Sequence, residues 1–288
     1  MMYRAHFAMR DAVHGPDGTN VGALYGYLGM VTRLIATRRP DEVVHVYDHD
    51  WRPVTRTEIY PAYKSTRPPD PDGLPGQFEI LHDLLDLTGM TQAQTEGWEA
   101  EDAIGALCAR AGKRDRVQIV SGDRDLIQLV RDPTVRLLYT LRGVSELLEL
   151  DEATVLERYG VPANRYGEFA MLRGDPSDDL PGVPGIGQKT ARELVTAYPS
   201  IDAMLEQARS ASPSKGPLKG KPALRARLRD AEEYLDAVRK VVPIRSDAEV
   251  TTWNGRRDDG SLLEFADTFG LKGAAQRVLA ALDSAARG

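Results

Sequence analysis

Two short apolar runs, each leading into aspartate, constrain this chain more than any other feature. Val43-Val44-His45-Val46-Tyr47 ends in Asp48, and Val117-Gln118-Ile119-Val120 is followed closely by Asp123 and Asp125. β-Branched runs of this length read as buried strands. Around them apolar residues recur at helical spacing in 21–38 (Leu24, Leu28, Val31, Leu34, Ile35), 74–87 and 99–111, and Pro40 closes the first of these segments. Strands alternating with helices of this length predict an α/β fold with a mainly parallel sheet covered by helices. In such sheets, sites form beyond the carboxyl ends of the strands, which places Asp48, Asp123 and Asp125 to converge.

After about residue 150 the strand pattern fades, and helical spacing appears in 152–159, 166–172, 191–198, 223–241 and 273–286. The reading is an α/β part over 1–150 and a helical part over 151–288, without internal repeats. Between 51 and 75 lies a long stretch with prolines at 53, 61, 68, 69 and 71 and weak apolar periodicity. It is expected to be an exposed functional excursion. Arg52, Arg56, Lys64 and Arg67 lie in it beside Tyr60 and Tyr63, a mixture suited to single-stranded nucleic acid. Segment 210–222 is rich in Ser, Pro, Gly and Lys and is expected to be a mobile surface loop. Lys215, Lys219, Lys221, Arg225, Arg227 and Arg229 lie in or after it, either as a solvated charged face or as a phosphate-binding one.

With 288 residues, 42% of them hydrophobic, the chain can bury a substantial core. Cys108 is the only cysteine, so no internal disulfide forms, and its helical spacing with Ala103, Ile104, Leu107 and Ala111 predicts a buried thiol. No apolar run approaches the roughly 20 residues of a membrane span, and Arg4 and His6 occupy the place where a signal peptide needs its apolar segment. A cytoplasmic protein with no membrane partner is expected. The net charge of −6 is compatible with a phosphate-bearing partner only if the carboxylates are concentrated in a site and the cations lie elsewhere.

The acids are indeed clustered. Glu99, Glu101 and Asp102 open a predicted helix, and Asp175, Asp178 and Asp179 form a further group. Any one cluster is explained by helix dipoles or turn formation. Brought together with Asp48, Asp123 and Asp125, they repel and require cations. No Cys or His cluster has zinc spacing, so the expected ions are hard ones, Mg²⁺ or Mn²⁺. Two such ions about 3.5–4 Å apart support phosphodiester hydrolysis. Over about 175–198, Gly182, Gly185 and Gly187 run into a predicted helix beginning with Lys189 and Thr190. This has the form of a helix-hairpin-helix turn, which grips a DNA backbone through exposed N–H groups without reading bases.

The ordered set Asp48, Tyr63-Lys64, Glu99-Ala100-Glu101-Asp102, Asp123-Arg124-Asp125, Gly174-Asp175-Pro176-Ser177-Asp178-Asp179 and Gly185-Ile186-Gly187-Gln188-Lys189-Thr190 resembles the bacterial and phage 5′-nuclease family. That family includes the N-terminal 5′-nuclease domain of bacterial DNA polymerase I and the stand-alone flap endonucleases, and the similarity runs from about residue 3 to about 245. The resemblance implies a PIN-like nuclease core, a helical arch at about 51–75 that threads or clamps a 5′ single strand, and flap-endonuclease and 5′→3′ exonuclease activity in DNA replication and repair. It assigns Asp48, Glu99, Glu101 and Asp102 to a first metal and Asp123, Asp125, Asp175 and Asp178 to a second. Lys64 and Arg67 match positions near the scissile phosphate, and Arg4 matches a basic residue near the active site. Arg56, Tyr63, Gly182, Gly185, Gly187, Lys189 and Thr190 are the expected DNA-binding residues. The partner is DNA with 5′ flaps or 5′ ends, and the protein is expected to be a monomer. A family member that binds branched DNA without cutting it and a PIN-type ribonuclease are the alternatives.

The sequence departs from the family pattern in two places. Asp179 stands where many relatives carry Asn, and the family's opening strand, which ends in a metal-binding Asp shortly before the position of Arg4, is not in the sequence. The second departure leads to the expectation that the functional polypeptide begins upstream of Met1.

Overall fold

The computed structural model describes residues 1–9, 12–210 and 216–287. Residues 211–215, including Lys215 of the expected surface loop, lie outside the described residues. Strand β1 (Val44–Val46) pairs in parallel with β2 (Thr91–Gln94), and β6 (Thr251–Asn254) joins β2 antiparallel. A second sheet holds β3 (Val117–Ser121) parallel to β4 (Val135–Arg142), with β5 (Glu146–Leu150) antiparallel to β4. The α/β class holds, with the sheet divided into two three-stranded pieces, each a parallel pair closed by an antiparallel strand. The hairpin between β4 and β5 is too short for a parallel return. Among the described residues, the outer edges of β1 and β3 carry no partner strand.

Strand β2 is polar, Thr91-Gln92-Ala93-Gln94, and escapes a search for apolar runs. Gln92 is fully buried, and its side chain is satisfied: Tyr47 donates to Oε1 at 2.9 Å and the amide donates to Asp86 at 2.7 Å. Burial is tolerated because each polar atom has a partner.

Helices α1 (Met2–Met9), α2 (Gly22–Arg38) and α4 (Leu74–Thr88) pack with α12 (Asp259–Thr268) and α13 (Lys272–Ala285) around Leu24, Leu28, Leu81, Leu84, Leu262 and Val278. Gly89, left-handed at φ 74°, ends α4 where the chain turns into β2. A second core joins the β3–β5 sheet to α6 (Glu152–Tyr159), α7 (Tyr166–Arg173), α8 (Gln188–Ala197), α9 (Ile201–Arg209), α10 (Pro222–Asp230) and α11 (Glu232–Val238), through Leu137, Leu150, Phe169, Leu194, Leu205 and Leu235. The expected boundary at 150 therefore cuts one core, and the segment from β6 onward returns to the other. No linker marks residue 150: β5 runs directly into α6, whose N-terminus Asp151 caps by accepting from the Thr154 N–H at 2.8 Å. The helix expected over 223–241 is two, α10 and α11, meeting at Ala231.

The remaining helices, α3 (Val54–Ile59) and α5 (Ala100–Arg110), flank the acids. Cys108 on α5 is buried as expected, and burial pushes its thiol up to about 11.

Candidate active site

Four segments deliver the acids. At the end of β1, Asp48 accepts from the Ala100 N–H at 2.7 Å, placing a carboxylate on the α5 N-terminus. The first turn of α5 carries Glu101 and Asp102, with Glu99 at its cap. Beyond β3, Asp123 accepts from the Asp125 N–H at 2.9 Å, and the chain enters a 3₁₀ helix, Asp125–Leu129. After α7, Asp175 accepts from the N–H and hydroxyl of Ser177 at 3.0 and 2.5 Å and caps the 3₁₀ turn Pro176–Asp178.

These acids sense one another. Burial, then the charges of Glu99, Asp123 and Asp125, push Glu101 well above the usual carboxylate range against the pull of Lys64. Burial, then Asp123, Asp178 and Asp175, does the same to Asp125. Asp178 is raised by burial and by Asp123 and Asp175, with Lys64 opposing. Acids from α5, the β3 end and the 175–178 loop thus form one negative centre with Lys64 among them. The donor set, carboxylate oxygens in excess of cations with no thiolate or imidazole, fits hard divalent ions. Among the described residues, no three of these groups are closed into a ligating cage.

Two acids assigned by resemblance to the first metal have other partners. Asp102, fully buried, accepts from both terminal nitrogens of Arg56 at 2.9 and 2.8 Å and from the Arg245 N–H at 3.1 Å. Glu99, 2% exposed, accepts from Arg56, from Lys64 and from the Tyr63 hydroxyl at 2.8 Å. Their oxygens are engaged by cations of the chain itself.

The 51–75 excursion is largely exposed, as expected, but part of it turns in toward the acids. It holds one six-residue helix, α3, and then folds inward over the acids. Arg56 and Tyr63, expected on DNA, are 3% and 2% exposed and lie against Glu99 and Asp102, where no duplex can reach them. Arg52 pins the turn by donating to the carbonyls of Tyr63 and Pro61 at 2.7 and 2.8 Å. Lys64, 4% exposed, pairs with Glu99 and faces Asp178 at 3.8 Å. Burial pulls its pKa down, but Glu101, Glu99 and Asp178 outweigh it and hold the ammonium charged. Arg67 is outside the acid centre, exposed, with its guanidinium 5.7 Å from the centroid of the half-exposed Trp51 ring. Arg4 reaches the Gly122 carbonyl at 3.4 Å, and a Cβ at position 122 would collide with its guanidinium.

Gly122 is therefore a site residue that the sequence reading missed, and the glycine between strand and acids was its only signal. Trp98 was also missed: the guanidinium groups of Arg56 and Arg245 lie over its ring, 5.6 and 4.8 Å from the centroid. Arg245 belongs to a strap after α11, and the strap crosses α5 at Gly105. A Cβ there would sit 2.4 Å from the Arg245 carbonyl oxygen and 2.6 Å from Ile244 Cγ2. Gly105→Ala is expected to destabilise the fold by about 1–3 kcal/mol, as overpacking does. Urea denaturation checks this, and a wild-type midpoint would mean that the strap shifts freely.

The glycine-rich turn lies between α7 and α8 as the sequence predicts. Gly182 (φ 72°) presses on the Gly174 amide, where a Cβ would be 2.5 Å from nitrogen, and Gly185 (φ 73°) is also left-handed. Gly187, at φ −88° and in open space, does not need to be glycine. Lys189 is exposed in the first turn of α8 and Thr190 is half-buried beside it. In the basic run that follows, Arg227 donates to the Gly185 carbonyl at 3.1 Å and Arg229 to the Ala208 carbonyl at 2.8 Å, so these two tie α10 to its neighbours.

Residues 1–160 match the family described as 5′-3′ exonuclease, N-terminal resolvase-like domain, and residues 161–256 match its C-terminal SAM fold. A 5′-3′ exonuclease of Streptomyces coelicolor is 40% identical, over 98% of this chain and 97% of that protein. The DNA polymerase I of Mycobacterium tuberculosis is 36% identical over 84% of this chain, which corresponds to 26% of the polymerase. A bacteriophage T5 flap endonuclease, solved in a pseudo-enzyme-product complex with DNA and metal ions, shares the fold at a TM-score of 0.60, with 20% identity and 90% of each chain covered. No helix among the described residues is long and apolar enough to cross a membrane. With both parts matched in order and a relative 40% identical along nearly its whole length, the chain belongs to the 5′-3′ exonuclease family.

Proposed function

We propose that the protein is a structure-specific 5′-nuclease that hydrolyses DNA phosphodiesters at 5′ flaps and 5′ ends with two Mg²⁺ or Mn²⁺ ions. The observation that carries this reading is the single negative centre built from separate segments around one buried ammonium. Glu101, Asp123, Asp125 and Asp178 would hold the ions, with Asp48 and Asp175 beside them. The chemistry supplied when such ions are bound is activation of a water on one side of the phosphodiester and stabilisation of the leaving oxygen on the other. Lys64, kept charged by its acid neighbours, presents its ammonium to charge developing on the scissile phosphate. Arg4 reaches from α1 to the Gly122 carbonyl beyond β3 and adds a second cation at the edge of the site.

Duplex is held elsewhere, by the α7–α8 turn, through backbone N–H groups at the α8 N-terminus and the point charge of Lys189. Lys189→Ala is expected to weaken duplex binding and to reduce the salt dependence by about one charge while leaving turnover of bound DNA unchanged. Fluorescence anisotropy over a salt series measures this, and an unaltered slope would remove Lys189 from the contact.

The function itself is tested by incubating the chain with Mn²⁺ and a labelled 5′-flap beside a labelled single-stranded RNA. Flap cleavage that is lost on chelation is the expected result. Preferential RNA cleavage would make the protein a PIN-type ribonuclease, and binding without cleavage would make it a non-cutting binder of branched DNA.

A further inference from the structure

Among the described residues, three that are not glycine have positive φ: Arg39, Lys64 and Asp179. Arg39 caps α2, a common place for such a residue. The other two meet. Lys64, at φ 50°, donates its backbone N–H to the Asp178 carbonyl at 3.2 Å, and Asp179, at φ 56°, follows directly. The Asp179 carboxylate accepts from the Thr66 N–H at 2.8 Å and the Thr66 hydroxyl at 2.5 Å.

A left-handed conformation crowds Cβ against the following carbonyl, and a long side chain such as lysine rarely adopts it. It persists where surrounding contacts over-determine it. Here these contacts come from both sides: the 175–179 loop supplies a carbonyl to Lys64 and a carboxylate to Thr66, bracketing the turn that aims the Lys64 ammonium at Glu99 and Asp178. We propose that Asp179 and Thr66 form a clasp that positions Lys64 for the reacting phosphate, a role that rests on the nuclease reading above. Asp179 acts through Lys64, and with the clasp open the turn relaxes and the ammonium leaves its aim.

Single-turnover cleavage of a 5′-flap with Mn²⁺ tests the clasp. Asp179→Ala is expected to lower the rate about 10- to 100-fold, the scale of a small misplacement of a catalytic group, with duplex affinity unchanged. Asp179→Asn is expected to retain near wild-type rates, because its carbonyl still accepts from the Thr66 N–H while its amide donates to the Thr66 hydroxyl. In a Lys64→Ala background, Asp179→Ala should add less than about twofold, since residues acting as one unit are not additive. A merely structural role would cost the same with or without Lys64, and that result, or an unchanged rate in Asp179→Ala, overturns the clasp. A wild-type chain that binds DNA but cuts none overturns the nuclease reading and the clasp's role in turnover with it, whereas cleavage that is indifferent to Asp179 overturns the clasp alone.

Discussion

Asp125→Asn is expected to abolish flap cleavage and, in the presence of a chelator, to raise the melting temperature. The two effects have one cause. Asp125 is held in the acid centre, where burial and the charges of Asp123, Asp178 and Asp175 oppose its ionisation. A carboxylate under such repulsion stabilises bound cations and destabilises the chain without them. Loss of activity should exceed the roughly 10–100-fold typical of groups that only support a ligand. The gain in stability should appear as roughly 2–4 °C per kcal/mol of repulsion removed. The same argument gives the pH dependence. Glu101, Asp125 and Asp178 all have folded-state pKa values above their unfolded ones, so their contribution to stability is fully present below the ordinary carboxylate range. It is lost as the pH rises through the elevated folded values. Metal-free wild type should therefore melt lower as the pH rises from about 4 toward neutrality, and Asp125→Asn should flatten that slope. Mn²⁺ should restore wild type and not the variant. Melting curves with and without chelator decide the matter, and a variant that cuts at the wild-type rate would remove Asp125 from the metal set.

The positions of these acids were legible in the sequence, but the division of labour among them was not. Asp48 and Asp123 follow strands readable from β-branched runs, and the local rule that sites lie beyond strand ends places them to converge. Nothing near Glu99 and Asp102 shows that Arg56 forks onto one and reaches the other, because that pairing depends on how the proline-rich segment folds back. Prolines and charges mark a segment as outside regular structure without saying whether it lies open or packs inward. Tyr60 and Tyr63 were read as surface for a single strand, yet Tyr63 is buried against Glu99, and the half-exposed aromatic of the segment is Trp51. Strands β2 and β6 were silent for a related reason. Their sequences, TQAQ and TTWN, carry no apolar run, and each is placed by its neighbours. The return of the chain through β6 to the first core is a tertiary fact that helical periodicity cannot reveal.

Arg56→Ala is expected to be the most destabilising substitution of a charged residue around the site. The guanidinium is almost fully buried and uses its nitrogens on Asp102, Glu99 and the Val241 carbonyl at 3.0 Å. Removing it leaves the buried Asp102 without a counter-ion and Glu99 with Lys64 alone, and breaking a buried pair in this way costs about 3–5 kcal/mol. For a chain of this size the melting temperature should fall by roughly 10 °C. Arg56→Lys keeps a charge but cannot fork onto Asp102, and it should fall between the variant and wild type. The penalty comes from the stranded charge, so adding Asp102→Asn to Arg56→Ala should recover part of the loss, although Asp102→Asn alone destabilises. Acidification should narrow the gap as well, because the stranded carboxylates can then take up protons. A residue that contacts DNA behaves differently: its loss lowers affinity and the salt slope and leaves the melting curve of the free protein in place. If Arg56→Ala melts within about 2 °C of wild type and instead loses salt-dependent DNA binding, the buried network is not what holds α3 over the acids, and the sequence expectation of a DNA-contacting arginine returns.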